Sequence, residues 1–211
     1  MAVRLIFMES LDRDLALAAL SRRQFGATST AQLLRIGFTP SSIRRAVERR
    51  RLVRVLPRVY RIVSVPVTLE QRLMSALLFG GDDAALSHST AAIVHDLIPR
   101  RPSAIHIATS RRVASRTGVI VHRRVWLPGD PPVRLGPLVV TSPARTVLDL
   151  CGVKNRNSEM ALDAALRMGK PLLPISTSFW KSEANIGFPE RPPFAHWFQN
   201  VERKRRCRRA N

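Results

Sequence analysis

The segment running from Thr39 to Ile62, TPSSIRRAVERRRLVRVLPRVYRI, holds eight arginines, one glutamate and no lysine. A guanidinium is planar and permanently charged, and its fork fits guanine O6 and N7 together or two oxygens of one phosphate. Ile43, Val47, Val53, Val55, Val59 and Ile62 interleave with these charges, so the segment has an apolar back as well as a basic front. On a helix at about 100° per residue, Ile43, Ala46 and Val47 share one face. Ser41, Ser42, Arg45, Glu48 and Arg49 share the opposite one, flanked by Arg44 and Arg51, while Arg50 lies near the apolar side with its stem along it. Arg44, Arg45 and Arg49 are the expected contacts in a DNA major groove. Arg54, Arg58 and Arg61 in the hairpin are placed to meet the phosphate backbone or an adjacent minor groove, with Arg54 and Arg58 the expected backbone contacts, and Ser41 and Ser42 at the helix start are expected as phosphate donors. Base contacts discriminate between sequences, whereas phosphate contacts raise affinity for any of them.

Other constellations read differently. Ser87, His88 and Ser89, with His95 and Asp96 further on, contain hydrolase residue types, but no nucleophile-elbow motif or oxyanion loop accompanies them. Ser87 is expected to cap a helix, and His88 and His95 to pack. A metal site drawn from His88, His95, His106, His122 and Cys151 has no H-x-x-x-H or C-x-x-C spacing behind it, so no metal and no cofactor are expected. A nuclease would need carboxylates gathered around a divalent ion. Glu159, Asp163, Glu183, Glu190 and Glu202 have no strand framework to gather them. The expectation is a non-enzyme. Arg145 and Asp149, four apart, predict an ion pair along one helix face.

The elements that must position the arginines follow from caps and periodicity. Leu15, Ala18 and Ala19 have helical spacing within Leu11–Arg22. A second helix fits Thr30–Ile36, with Ser29 as N-cap and Gly37 past its end. Thr39 caps a third, with Pro40 at the first position, running to about Arg51. Leu52–Leu56 and Val59–Val63 alternate about Pro57-Arg58 as a hairpin. Helix, helix, tight turn, helix and hairpin is the order of a winged helix-turn-helix. Thr68-Leu-Glu-Gln71 then predicts a capping box before an apolar helix closed by Gly80-Gly81. A helix fits His88–Leu97, strands fit Ala104–Thr109, Gly118–Arg123 and Pro137–Thr141, and Ser142 caps a helix from Pro143 to about Leu150. The expected fold class is α/β (α+β): a winged helix-turn-helix over 1–65, a small mixed α/β domain over 66–169, and an irregular, disordered basic tail over 170–211 that ends in RKRRCRR and has the composition of a shifted reading frame.

The chain has 211 residues, and its net charge of +20 comes from 31 arginines and four lysines against 15 acids. A field of that sign attracts polyanions and repels basic surfaces. At 45% hydrophobic composition the chain can fill a core, which excludes a wholly disordered protein. Cys151 and Cys207 are too few and too far apart for a disulfide framework, no apolar run approaches a membrane span, and no secretory leader is evident. A cytoplasmic protein with no membrane partner is expected.

FGATSTAQLLRIGFTPSSIRRAVERRRLVRVLPRVY resembles the N-terminal winged helix of AbiEi-family antitoxins, the DNA-binding half of type IV toxin–antitoxin pairs. ALSHSTAAIVHDLI and VVTSPARTVLDL are similar to the second domain of actinobacterial relatives, so the resemblance covers about residues 11–169. It implies a transcriptional repressor of its own operon that binds inverted repeats of double-stranded DNA, as a homodimer or in paired copies, and a nucleotidyltransferase-like toxin as partner. Arg58 departs from the family, which usually has glycine before the Val-Tyr of the wing. Two other readings stand beside it: the regulatory remnant of a fused endonuclease-like protein, and a basic protein-interaction module.

Overall fold

The computed structural model describes residues 2–99, 103–126, 130–153 and 157–169, with the backbone alone for residues 2–11. The tail expected from residue 170 lies outside the described residues. The fold is mixed α/β, with seven helices and two sheets among the described residues. Helix α1 (Ala2–Arg23) extends further toward the N-terminus than the Leu11–Arg22 spacing predicts. Strand β1 (Ala27–Ser29) follows, too short to leave a period-2 signal.

Helices α2 (Thr30–Arg35) and α3 (Pro40–Glu48) are each fixed at both ends by local chemistry. Ser29 and Gln32 close one capping box, with Gln32 N–H donating to Ser29 Oγ at 3.3 Å and Ser29 N–H to Gln32 Oε1 at 3.0 Å. Thr39 and Ser42 close the other, at 3.2 and 2.9 Å, and Pro40 sits where its missing N–H has no partner to lose. Gly37 takes a φ of +91° past the end of α2, and Phe38 N–H reaches the Leu33 carbonyl at 3.0 Å, which makes a Schellman motif. α3 ends the same way, but with arginine in the left-handed position. Arg50 has a φ of +54°, its N–H bonds the Val47 carbonyl at 3.0 Å, and Arg51 N–H bonds that of Ala46 at 2.8 Å. α3 therefore stops at Glu48 rather than Arg51, and Arg50 is an exposed residue past its end.

Strands β2 (Leu52–Leu56) and β3 (Val59–Ile62) form the expected antiparallel hairpin, with Leu56 opposite Val59 and a bulge between Arg54 and Leu56. β1 pairs with the other edge of β3, from Ala27 opposite Arg61 to Ser29 opposite Val59, giving the order β1-β3-β2. Leu33, Phe38, Ile43, Leu52 and Tyr60 form a buried cluster, with Leu17, Ala46 and Val47 against it. Burying α3's predicted apolar face in this way holds its basic face toward solvent.

Helix α4 (Leu69–Gly80) starts on Thr68, whose Oγ1 accepts from Gln71 N–H at 3.2 Å. The predicted box is only half made: buried Gln71 does not return to its cap, and its Nε2 donates to the Phe25 carbonyl at 3.0 Å. The chain then builds β4 (Ala85–Leu86), α5 (His88–Val94), β5 (Ile105–Thr109), β6 (Val119–Arg123), β7 (Val133–Leu135), β8 (Leu138–Val140), α6 (Pro143–Gly152) and α7 (Ser158–Arg167). The five strands lie in the order β6-β5-β4-β8-β7. β5–β6 and β4–β8 are parallel, and the other neighbours antiparallel. α5 is shorter than predicted because Asp96 takes a φ of +59° and Leu97 N–H bonds the Ala92 carbonyl at 2.8 Å. Ser142 caps α6 as expected, accepting from Arg145 N–H at 3.1 Å.

Candidate nucleic-acid interface

α3 presents Ser41, Arg44, Arg45, Glu48 and Arg49 to solvent. Ser42 is half-buried, and its hydroxyl both accepts from Thr39 N–H and donates to the Thr39 carbonyl, each at 2.9 Å. That proton holds the helix start together, so Ser42 has no free hydroxyl to offer a phosphate. Ser41 Oγ lies 3.0 Å from Thr39 Oγ1 and stays at the surface. Arg44 Nε sits 3.7 Å from Glu48 Oε1, both side chains exposed. Such a pair is weak, and a phosphate can displace the carboxylate.

Arg45 and Arg49, one turn apart, look onto a groove of about 870 Å³ between α1 and α3. Arg13 and Arg22 of α1 line its other side, and Arg50 and Arg51 join from the end of α3, while Asp14 is the acid among the described lining residues. Arg44 is not part of this lining, so the structure separates it from the two residues it was grouped with. The Arg13 guanidinium is 4.8 Å from the Phe38 ring centroid, a cation–π contact that holds it beside the base of α3. Arg13 and Arg22 escaped the sequence reading because two arginines nine positions apart make no cluster. The helical period adds no signal either, because nine residues place their Cβ atoms on opposite sides of α1, and both reach the groove all the same.

The hairpin supplies a second basic surface. Arg54 is exposed, with its guanidinium 5.9 Å from the Tyr60 ring centroid. Arg58 is exposed at the turn, with a φ of +60°, the conformation that favours glycine. Its carbonyl accepts from Thr30 N–H at 2.8 Å and Thr30 Oγ1 at 3.3 Å. The turn is thereby tied to the start of α2, and Arg58 is carried on a fixed backbone.

The second sheet gathers polar groups the sequence reading kept apart. Arg145 and Asp149 do pair, Nε to Oδ1 at 2.8 Å, but inside the protein, and Arg124 donates to the same oxygen at 2.9 Å. Asp130 lies 3.8 Å from Arg145. Ser87 stands at the N-cap of α5 without making a capping bond, which corrects the expected role. Its hydroxyl lies 3.1 Å from His88 Nδ1 instead. His88, the first residue of α5, has a φ of +50°, a strained conformation for a residue with a Cβ. In β5 and β6, His106 is opposite Ile120 and His122 opposite Ala108, which puts both imidazoles on one face. His106 Nδ1 and His122 Nε2 are 3.0 Å apart, and the His88 ring stacks on His122 with centroids 3.6 Å apart. Burial holds His88 down to about 3, helped by its imidazole neighbours, and His122 to about 4, so both rings are neutral at physiological pH. His95 and Cys151 stay out of the group. His95 Nε2 donates to the Thr141 carbonyl at 2.8 Å, and burial pushes the Cys151 thiol up to about 11. Of the nuclease candidates, Asp163 pairs with Arg167 on the surface of α7, and Glu183, Glu190 and Glu202 lie outside the described residues.

No model of a known protein family matches the chain, and no curated protein matches it. No helix among the described residues is long and apolar enough to cross a membrane.

Proposed function

We propose that this protein is a DNA-binding transcriptional repressor whose winged helix-turn-helix lays α3 in the major groove. The observation that carries the reading is the capped, two-faced α3: Ile43 is buried in the core, and Arg44, Arg45 and Arg49 are exposed above it. A rigid helix with arginines on its open face is suited to base edges, and Arg54 and Arg58 on the hairpin are suited to the phosphates beside it. The basic groove from Arg13 to Arg49 supports a polyanion as the occupant of this side of the molecule.

The narrower reading is an antitoxin-like repressor of its own operon, cytoplasmic, acting as a pair of copies on an inverted repeat beside a nucleotidyltransferase-like toxin. Its support is the run of AbiEi-like motifs from FGATSTAQLL to TSPARTVLDL. Fluorescence anisotropy with the protein's own upstream DNA and a scrambled duplex, at several salt concentrations, tests both levels. Tight binding to the upstream duplex alone, lost in Arg45→Ala/Arg49→Ala, is the expected result. Six phosphate contacts give a log–log salt slope of about −5. Equal and equally salt-sensitive binding to both duplexes would sink the repressor reading and leave charge alone.

A further inference from the structure

We propose that His88, His106 and His122 form a binding site for one zinc-class divalent ion, with a fourth coordination position left open. The nitrogen donors of the three side chains lie within 4.8 Å of one another. In a tetrahedral site with zinc–nitrogen bonds of about 2.0–2.1 Å, neighbouring donors stand roughly 3.3 Å apart. His106 Nδ1 and His122 Nε2, at 3.0 Å, are already near that spacing. A ring proton bridges them in the metal-free form, and moving it to the far nitrogen of its own ring frees both atoms for a metal without changing either ring's charge. His88 completes the set. Its Nδ1 faces Ser87 Oγ at 3.1 Å, so an Nδ1–H donated to that hydroxyl leaves the lone pair on Nε2. This is the outer-shell support that fixes the tautomer of metal-bound histidines. The stacked rings turn about their Cβ–Cγ bonds to converge, while the backbone that carries them is held by the β5–β6 ladder and the β4–α5 turn.

Access and charge fit the same reading. β6 is an edge strand, and His106 and His122 are half-buried rather than sealed, so an ion has a way in. Three neutral imidazoles leave the full dipositive charge of the ion in place, and imidazole donors suit zinc, copper, nickel and iron rather than magnesium or calcium. The open position is therefore suited to an anionic ligand, hydroxide first.

The test uses tag-free, full-length protein stripped with chelator and titrated with cobalt(II) chloride alone. Expected is visible d–d absorption that saturates at one ion per chain and is quenched by one equivalent of zinc. It should show no near-ultraviolet thiolate band, because no cysteine belongs to the site. Ser87→Ala should weaken the midpoint about tenfold, the loss of an outer-shell partner, and His106→Gln/His122→Gln should abolish the signal while circular dichroism keeps the fold. Absence of saturable absorption overturns the site. A thiolate band, or a signal unchanged in the double variant, places the ion on other residues and overturns it as well. Should the double variant not fold, the wild-type spectrum and the Ser87→Ala shift decide between these outcomes.

Discussion

Two ion pairs in this chain share their spacing and their length but differ in burial, and they make an internal test of what burial does to charge. Arg145 and Asp149 on α6 are four apart and 2.8 Å from each other, with side chains 3% and 1% exposed. Asp163 and Arg167 on α7 are also four apart and 2.8 Å from each other, with side chains 66% and 69% exposed. Helix rules alone rank the α7 pair higher, because its acid is N-terminal to its base. Burial reverses the order. At an effective dielectric of about 20, two unit charges about 4 Å apart interact by roughly 4 kcal/mol. Asp149 serves both Arg145 and Arg124, so Asp149→Asn weakens two such attractions, and removal of one partner from a buried pair typically costs about 3–5 kcal/mol. Asp163→Asn should cost below about 0.5 kcal/mol. Urea unfolding of both full-length variants reads these values directly, and in a thermal scan a loss of about 3 kcal/mol lowers Tm by roughly 6–12 °C. If the two variants lost similar amounts, the claim that the Arg145–Asp149–Arg124 network is an internal support of the second sheet would fail.

Arg58→Gly removes a left-handed arginine, so stability should rise by up to about 1 kcal/mol, and under the proposed DNA-binding function the salt slope should shrink by about 0.9 if Arg58 meets a phosphate; denaturation and anisotropy on one preparation separate the two effects. Ser42→Ala should cost about 1 kcal/mol through the α3 cap, whereas Ser41→Ala should leave stability unchanged within about 0.5 kcal/mol, a contrast readable in parallel melts. Burial pushes Asp83's carboxyl up, but hydrogen bonds from Ser110 N–H at 2.7 Å and Thr109 Oγ1 at 2.8 Å outweigh it and hold the group below its ordinary range. A carboxylate favoured by the fold contributes stability above its unfolded pKa near 4 and loses it as pH falls through the folded value. The deficit of Asp83→Asn in urea melts should thus be full at pH 7 and shrink below about pH 4.

The N-terminal elements were legible because their ends are written in short-range chemistry. Ser29 and Thr39 cap where they were expected to, Pro40 sits at the first position of α3, and Gly37 takes the left-handed turn. The α3 terminus was misplaced because arginine, a good helix former, occupies the left-handed position; nothing in ERRRL marks Arg50 rather than Arg51. β1, β4 and β7 are two or three residues long, below the length at which alternation can be told from chance. The histidine group was illegible for a different reason. Its members come from the start of a helix and two strands, and they meet because β5 and β6 pair in parallel with a register that puts His106 and His122 on one face. Parallel register is a tertiary outcome, set by the segment between the strands and by the sheet around them. The burial of Arg145 and Asp149 was hidden likewise: the spacing announces the pair, but not Arg124 or the helices α5 and α7 that pack beside α6.

The two sheets are not independent mounts for these surfaces. Ala27 of β1 belongs to one buried cluster with Leu73, Met74 and Leu77 of α4 and Leu86, Ile107 and Val140 of the five-stranded sheet, and Phe25 and Leu56 pack against it. Gln71 of α4 adds a directional tie to the Phe25 carbonyl. α3 itself packs in the other cluster, on Leu33, Phe38, Leu52 and Tyr60, and β3 belongs to both neighbourhoods because Tyr60 lies opposite Thr28 beside Ala27. The path from the basic helix to the second sheet is therefore made of packed elements: α3 on β2, β2 on β3, β3 on β1, β1 on α4, α4 on β5. Close-packed interiors transmit displacement rather than absorb it. A change that re-ordered the five-stranded sheet would therefore bear on the platform beneath Arg45 and Arg49 through few packed intermediaries.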